Sequence, residues 1–234
     1  MQTEEHLSKS ERKHRNQRRI IIQSARKLFE SKSYDDVSME DIADAAAVSK
    51  QTLYNYFSNK DSIYFGVGVE GFIGSLDGTE ETFLKSTTGK EQVLKLSEDY
   101  FKALMQFPLG TDISRRFMTD QEINALVERI IRKKAKGKPK QERKKKSMED
   151  VIAEYMEQVW RYQGYWNNAI NGGIKDGSIT STLSVDQLSL YIMTLISGVV
   201  DHMQMRRIPF EQVKLDDHKT REITLGVVES LLRK

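Results

Sequence analysis

The sequence predicts an all-α protein, and three observations carry that prediction. Only three prolines occur in 234 residues, Pro108, Pro139 and Pro209, each beside a polar or glycine-containing break. No stretch alternates apolar and polar residues between hairpin turns, as half-buried strands do. Apolar residues instead recur at spacings of three and four, which places them on one face of a helix.

The elements follow in order. Between Arg15 and Ser31, the spacing of Ile21, Ala25, Leu28 and Phe29 predicts a first helix, with residues 1–14 ahead of it as a flexible basic arm. A short second helix starts at Ser38, which forms a capping-box pattern with Asp41. Met39, Ile42, Ala43 and Ala46 make its apolar face. After the turn Ala46-Ala47-Val48, Ser49 caps a third helix whose Leu53 and Phe57 point to the core. Further helices are expected over 60–76, 90–107, 113–135, 147–172, 184–205 and 216–233. Gly172, Gly173 and Gly177 are expected to end the long helix that holds Trp160 and Trp166. Ser184 caps the next helix, and Asp216 or Asp217 the last.

Composition excludes several classes. With no cysteine there is no disulfide scaffold, thiolate metal site or cysteine nucleophile. The polar start is unlike a signal peptide, and no apolar run reaches the roughly 20 residues of a membrane helix. A cytoplasmic protein without a membrane partner is expected. The net charge of +3 conceals strong segregation. Residues 129–146 hold eleven Lys/Arg against one Asp/Glu, whereas 61–128 hold six against twelve. A second basic cluster comprises Lys9, Arg12, Lys13, Arg15, Arg18 and Arg19. Clustered base suits a polyanion partner, or else a solvated face. For the lysine-rich stretch 132–146, a solvated loop is the favoured reading over added nonspecific DNA affinity.

Residues 38–60, SMEDIADAAAVSKQTLYNYFSNK, place two short helices around a tight turn, with alanines that allow close approach. This is helix-turn-helix geometry, in which the second helix can enter a DNA major groove. That helix would expose Lys50, Gln51, Thr52, Tyr54, Asn55 and Tyr56. Lys, Gln and Asn bond base edges, and a Thr methyl can meet a thymine methyl. Tyr hydroxyls and Lys60 can hold phosphates and set register. A left-handed conformation at Ala47 would cost about 1 kcal/mol or more.

This region resembles the TetR family of transcriptional regulators. The resemblance rests on Ala25-Arg26-Lys27-Leu28-Phe29, Tyr34, Val37, Ile42-Ala43, Val48-Ser49-Lys50, Thr52-Leu53-Tyr54, Tyr56-Phe57 and Lys60. It covers about residues 15–65, and its one departure is Ala47, where many members have glycine. The resemblance implies that Lys50, Gln51, Thr52 and Asn55 face bases, while Ser38, Ser49, Tyr54, Tyr56 and Lys60 hold phosphates; Thr52 suits either role. It further implies a three-helix DNA-binding head over 1–60 and a helical ligand-binding and dimerisation domain over 61–234.

In that second domain, Val185, Leu188, Ile192, Leu195, Ile196, Val199 and Met203 follow helix spacing, as do Ile223, Val227 and Leu231. The resemblance makes the last two helices the homodimer interface, assigned to Leu188, Ile192, Leu195, Val199, Ile223, Val227 and Leu231. A dimer would present two recognition helices about 34 Å apart to a near-palindromic operator on duplex DNA. Aromatic and methionine stripes are usually core, but the resemblance raises a pocket reading for Phe101, Met105, Phe117, Met156, Val159 and Trp166. Its occupant would be a small hydrophobic or aromatic molecule.

Residues 66–71, GVGVEG, match a dinucleotide fingerprint in letters only, because no βαβ unit surrounds them. Close packing or a compliant hinge are the two readings of those glycines. The expected function is a ligand-responsive dimeric transcriptional regulator acting as a repressor, with no enzyme activity, cofactor or metal. The alternatives are an enzyme with a helix-turn-helix-like head and a helical protein-interaction module. The scattered His6, His14, His202 and His218, and the lack of G-x-S-x-G, H-E-x-x-H or P-loop motifs, give catalysis little support.

Overall fold

The computed structural model describes residues 8–76, 86–135, 147–205, 210 and 212–233, with the side chains of Phe72, Ile73, Ser75, Leu76, Phe117, Met118 and Ala135 outside that description. Ten helices and no strand are found among the described residues. They are α1 (Lys9–Ser31), α2 (Met39–Ala45), α3 (Lys50–Tyr56), α4 (Lys60–Leu76), α5 (Gly89–Gln106), α6 (Pro108–Thr119), α7 (Gln121–Ala135), α8 (Met148–Asp176), α9 (Val185–Met205) and α10 (Asp217–Leu231).

Local chemistry sets most of the boundaries, and it corrects three expectations. The arm expected over 1–14 is helical from Lys9. Ser8 accepts from the Glu11 N–H at 3.2 Å, and Glu11 accepts from the Ser8 N–H at 2.7 Å. This reciprocal cap satisfies two N-terminal donors and starts α1 a turn and a half early. The single helix expected over 113–135 is two. Asp120 interrupts it and accepts from the N–H groups of Glu122 and Ile123, so the carboxylate caps a new helix rather than continuing the old one. The helix expected to stop at Gly172 runs on to Asp176, and the chain turns at Gly177 with φ +78°.

The residues group into two compact units, Met1–Glu70 with Ile113–Met156, and Gly71–Asp112 with Glu157–Lys234. This grouping does not follow a cut at residue 60: α4, α6 and α8 each contribute to both units. In the first unit, Ile21, Ile22 and Ala25 of α1, Ile42 of α2, Leu53 of α3 and Ile63 to Phe65 of α4 are all buried. Gly66 and Gly68 of α4 serve close packing. A Cβ at Gly66 would lie 2.6 Å from Ile22 Cδ1, and one at Gly68 would lie 2.8 Å from Ile113 Cγ2.

The second unit is built on α5, α9, α10 and the C-terminal half of α8. Val93, Leu96 and Phe101 of α5 pack in one cluster with Tyr162, Trp166, Ile170, Leu188, Ile192, Ile196, Val200 and Val228. Full burial of each large apolar side chain is worth about 1.5–3 kcal/mol. The start of α5 is stitched to the end of α8. The Gly89 N–H donates to Asp176 at 2.8 Å, and the Lys90 N–H donates to Ser178 at 3.0 Å.

At this junction two backbones nearly touch. A Cβ on Gly89 would lie 1.9 Å from the Gly173 nitrogen and 2.5 Å from the Ala169 carbonyl oxygen. Backbone cannot yield as a side chain can. Gly89→Ala is therefore expected to lower the unfolding free energy by about 3 kcal/mol, the upper end of overpacking costs. Gly172→Ala, with open surroundings out to 4.0 Å, should leave stability unchanged or raised. Urea unfolding of the two full-length variants checks the contrast.

Candidate nucleic-acid interface

Helices α2 and α3 hold seven residues each. Both depend on caps. Ser38 Oγ accepts from the Asp41 N–H at 3.1 Å, and the Asp41 carboxylate accepts from the Ser38 N–H at 2.8 Å and from its hydroxyl at 2.5 Å. These bonds, the Ser38 hydroxyl's foremost, hold the Asp41 carboxyl below the usual carboxylate range. Ser49 Oγ accepts from the Thr52 N–H at 3.1 Å and lies 2.8 Å from the Thr52 hydroxyl. Both serines, expected at phosphates, are thus spent first on the helix starts.

The turn between the helices runs through Ala47 at φ +52°. The Ala47 N–H donates to the Asp44 carbonyl, and the Val48 N–H to the Ala43 carbonyl, each at 3.0 Å. The turn residue is left-handed although it is alanine. Leu53 and Phe57 are completely buried, as is Ile42. That fixes the rotation of α3. Lys50, Gln51 and Asn55 are exposed, and Thr52, Tyr54 and Tyr56 are half-buried. Gln51 Nε2 donates to Asn55 Oδ1 at 3.4 Å, so the two amides sit together one helical turn apart. Lys50 reaches Glu40 of α2 at 3.2 Å, an exposed pair of little energetic weight.

Lys60 is placed differently from expectation. Its ammonium donates to the Tyr34 carbonyl at 2.8 Å and lies 4.1 Å from the Tyr34 ring centroid. The Tyr34 hydroxyl donates to Asp61 at 2.5 Å. Burial first, and the bonded Asp61 second, push that phenol above its usual range. Arg116 of α6 lies over the same ring at 3.7 Å. Tyr34 precedes α2, and Lys60 and Asp61 follow α3. The cluster therefore closes the whole segment 34–61 on itself.

No role for Tyr34, Asp61 or Arg116 follows from the sequence alone. Nothing local marks Arg116, since its partner is 82 positions away. Arg18, counted with the basic cluster, turns inward. Its guanidinium lies 3.4 Å from Glu154, 3.9 Å from Glu70 and 5.6 Å from the Phe57 ring centroid. Burial raises the Glu70 carboxyl, and Arg18 opposes that shift.

The other two residue sets divide by burial. Phe101 and Trp166 are core residues of the second unit, with Met105 packed on them and Val159 half-buried. Met156 is buried in the first unit, and the side chain of Phe117 lies outside the described residues. The Lys-rich stretch from 136 to 146 also lies outside them. Of the interface set, Leu188 and Ile192 are fully buried inside their own subunit, and Leu195, Val199 and Leu231 pack against that core. Only Ile223 and Val227 are exposed, at 48% and 42%. Their exposed companions on α9 are Leu190 and Tyr191, at 61% and 63%. Helix α9 is apolar on two faces, and spacing alone does not say which one turns inward.

The segment matches known proteins. Residues 21–67 match the model of bacterial regulatory proteins of the tetR family. The HTH-type transcriptional activator FasR of Mycolicibacterium smegmatis is 31% identical over 81 residues, which cover 35% of this chain and 36% of that relative. The match thus spans about a third of the curated relative. Among solved structures, the fatty acid degradation regulator FadR from Bacillus halodurans aligns with a TM-score of 0.62 at 18% identity, over 90% of this chain and 95% of that one. FadR from Bacillus subtilis, in complex with stearoyl-CoA, gives 0.61 at 18% identity, over 91% and 97%. These likenesses establish the shared fold.

The strained turn offers a clean measurement. Glycine takes the left-handed conformation without the Cβ penalty. Ala47→Gly should raise the unfolding free energy by about 1 kcal/mol, and the melting temperature by about 2–4 °C for a chain of this size. Thermal and urea unfolding of the full chain read it.

Proposed function

We propose, from the match of residues 21–67 to the tetR family of bacterial regulatory proteins, that this chain is a dimeric, ligand-responsive transcriptional repressor of a near-palindromic DNA operator. One observation carries the reading. Helix α3 buries Leu53 while Lys50, Gln51 and Asn55 stand exposed together on the same two turns. Amide side chains bond adenine edges in pairs, and lysine bonds guanine. Thr52, Tyr54 and Tyr56 complete the contact set at bases or phosphates. Ser38 and Ser49 act mainly by holding the helix starts, and Lys60 by holding the segment closed.

For the dimer, the surface that fits is Leu190, Tyr191, Ile223 and Val227, with Gly198 and Gly226 between. Neither glycine has an atom within 4 Å of a built Cβ, so a partner helix can approach closely. A two-fold axis through this face makes a four-helix interface. For the ligand, Phe101, Met105, Val159 and Trp166 supply a largely apolar lining, and the stearoyl-CoA of the similar FadR makes a long acyl chain the first candidate. A ligand that favours a spacing of the two heads unlike that of the operator releases DNA by shifting the population.

Enrichment of duplexes from a random pool by the full chain tests the reading, followed by footprinting of the winner. Two protected half-sites one turn apart are expected; no duplex bound above background refutes it. Gln51→Ala and Asn55→Ala should each cost about 1–3 kcal/mol and relax base choice at separate positions. For the interface, Val227→Glu should shift the chain to monomer in analytical ultracentrifugation and abolish joint protection of the half-sites, while Leu188→Val, inside the subunit core, should leave the dimer intact.

A further inference from the structure

We propose that His14, on the opening turns of α1, is a positioning residue for DNA binding: its imidazole stacks on Tyr56 and holds that tyrosine's hydroxyl toward the DNA backbone. The inference rests on the DNA-binding reading above and adds a residue to it.

The position of His14 follows from the cap at Ser8. Because Ser8 and Glu11 start α1 at Lys9, His14 sits on a formed helix rather than in an arm. Its ring lies 4.4 Å from that of Tyr56, with an interplanar angle of 25°. This is a stacked arrangement, as heteroaromatic pairs prefer. Arg18 follows His14 by four positions and so lies on the same face of α1. That arginine covers the ring of Phe57 at 5.6 Å. Two successive turns of α1 therefore cover two successive residues at the end of α3.

Those two residues have different tasks. Phe57 is completely buried and anchors the helix end. Tyr56 is the last residue of α3 and stays half-exposed. A tyrosine at a helix end, with one side open to water, has several side-chain rotamers available. Stacking against His14 selects one of them, so the hydroxyl is in place before DNA arrives and its ordering is not charged against binding. The basic residues Lys9, Arg12, Lys13 and Arg15 are exposed on the same turns, and among the described residues none of them is ion-paired.

The test is a double-mutant cycle in the full chain, with a fluorescent duplex enriched from a random pool by the wild-type protein as the probe. His14→Ala should weaken binding about three- to tenfold, the range of an aromatic pair. Tyr56→Phe should weaken it by a similar factor. In the Tyr56→Phe background, His14→Ala should cost nothing further, because the hydroxyl that it positions is gone. His14→Phe, which keeps a ring for stacking, should bind within about twofold of wild type. His14→Leu enters the same cycle, so the result does not hang on one truncation, and the melting temperature of each variant is measured alongside.

Independent, multiplying losses from His14→Ala and Tyr56→Phe would overturn the proposal, since a residue that merely supports the fold costs the same in either background. So would a His14→Phe chain that binds as weakly as His14→Ala. If the wild-type chain enriches no duplex, the DNA-binding reading falls and this one falls with it. A bound duplex with multiplying losses removes the role of His14 alone.

Discussion

Two helices of seven residues cannot hold themselves in water, because helix nucleation costs more than so few hydrogen bonds return. Everything about the candidate interface follows from that constraint. Helices α2 and α3 exist only because their ends are capped, their apolar faces are buried and the chain on either side of them is tied. The tie is Tyr34. Its carbonyl takes the Lys60 ammonium, its hydroxyl reaches Asp61, and its ring meets Arg116 and stands edge-on to Tyr64 at 4.9 Å. Residues that bracket the motif in sequence are thereby brought together in space. The entropy of closing that loop is met by contacts outside the motif itself.

The constraint also sorts the polar residues. A hydroxyl or ammonium that must hold a short helix in place is only partly available to DNA. Ser38, Ser49 and Lys60 are of this kind. Gln51 and Asn55 have no such duty, and their one mutual hydrogen bond is long at 3.4 Å. The exposed amides therefore stand in the middle of α3, and the bonds that hold the short helices lie at their ends. Ala47 shows the same tension within the turn: the residue strained at φ +52° is the one that sets the angle between the two helices.

In the second unit the governing fact is contact between backbones. Gly89 and Gly173 let α5 and α8 approach until no side chain fits between them. That approach brings Lys90 within 2.7 Å of Glu229 on α10. With Leu188, Ile192, Ile196 and Val200 all turned inward, the large apolar residues exposed on α9 and α10 include Leu190, Tyr191, Ile223 and Val227.

The sequence by itself determined the helical class, the capping serines, the position of the tight turn and the buried face of α3. Each of these depends on residues at most four positions apart, and short-range chemistry is readable along a chain. The start of α1 was readable in principle through Ser8 and Glu11 but was masked by the charge that follows. Only the tertiary structure decided which face of α9 is core, that Arg18 faces inward and that Lys60 serves Tyr34. It alone placed Arg116 on Tyr34 and His14 on Tyr56, contacts that span 82 and 42 positions. Such contacts depend on how whole helices pack, and no local pattern encodes them.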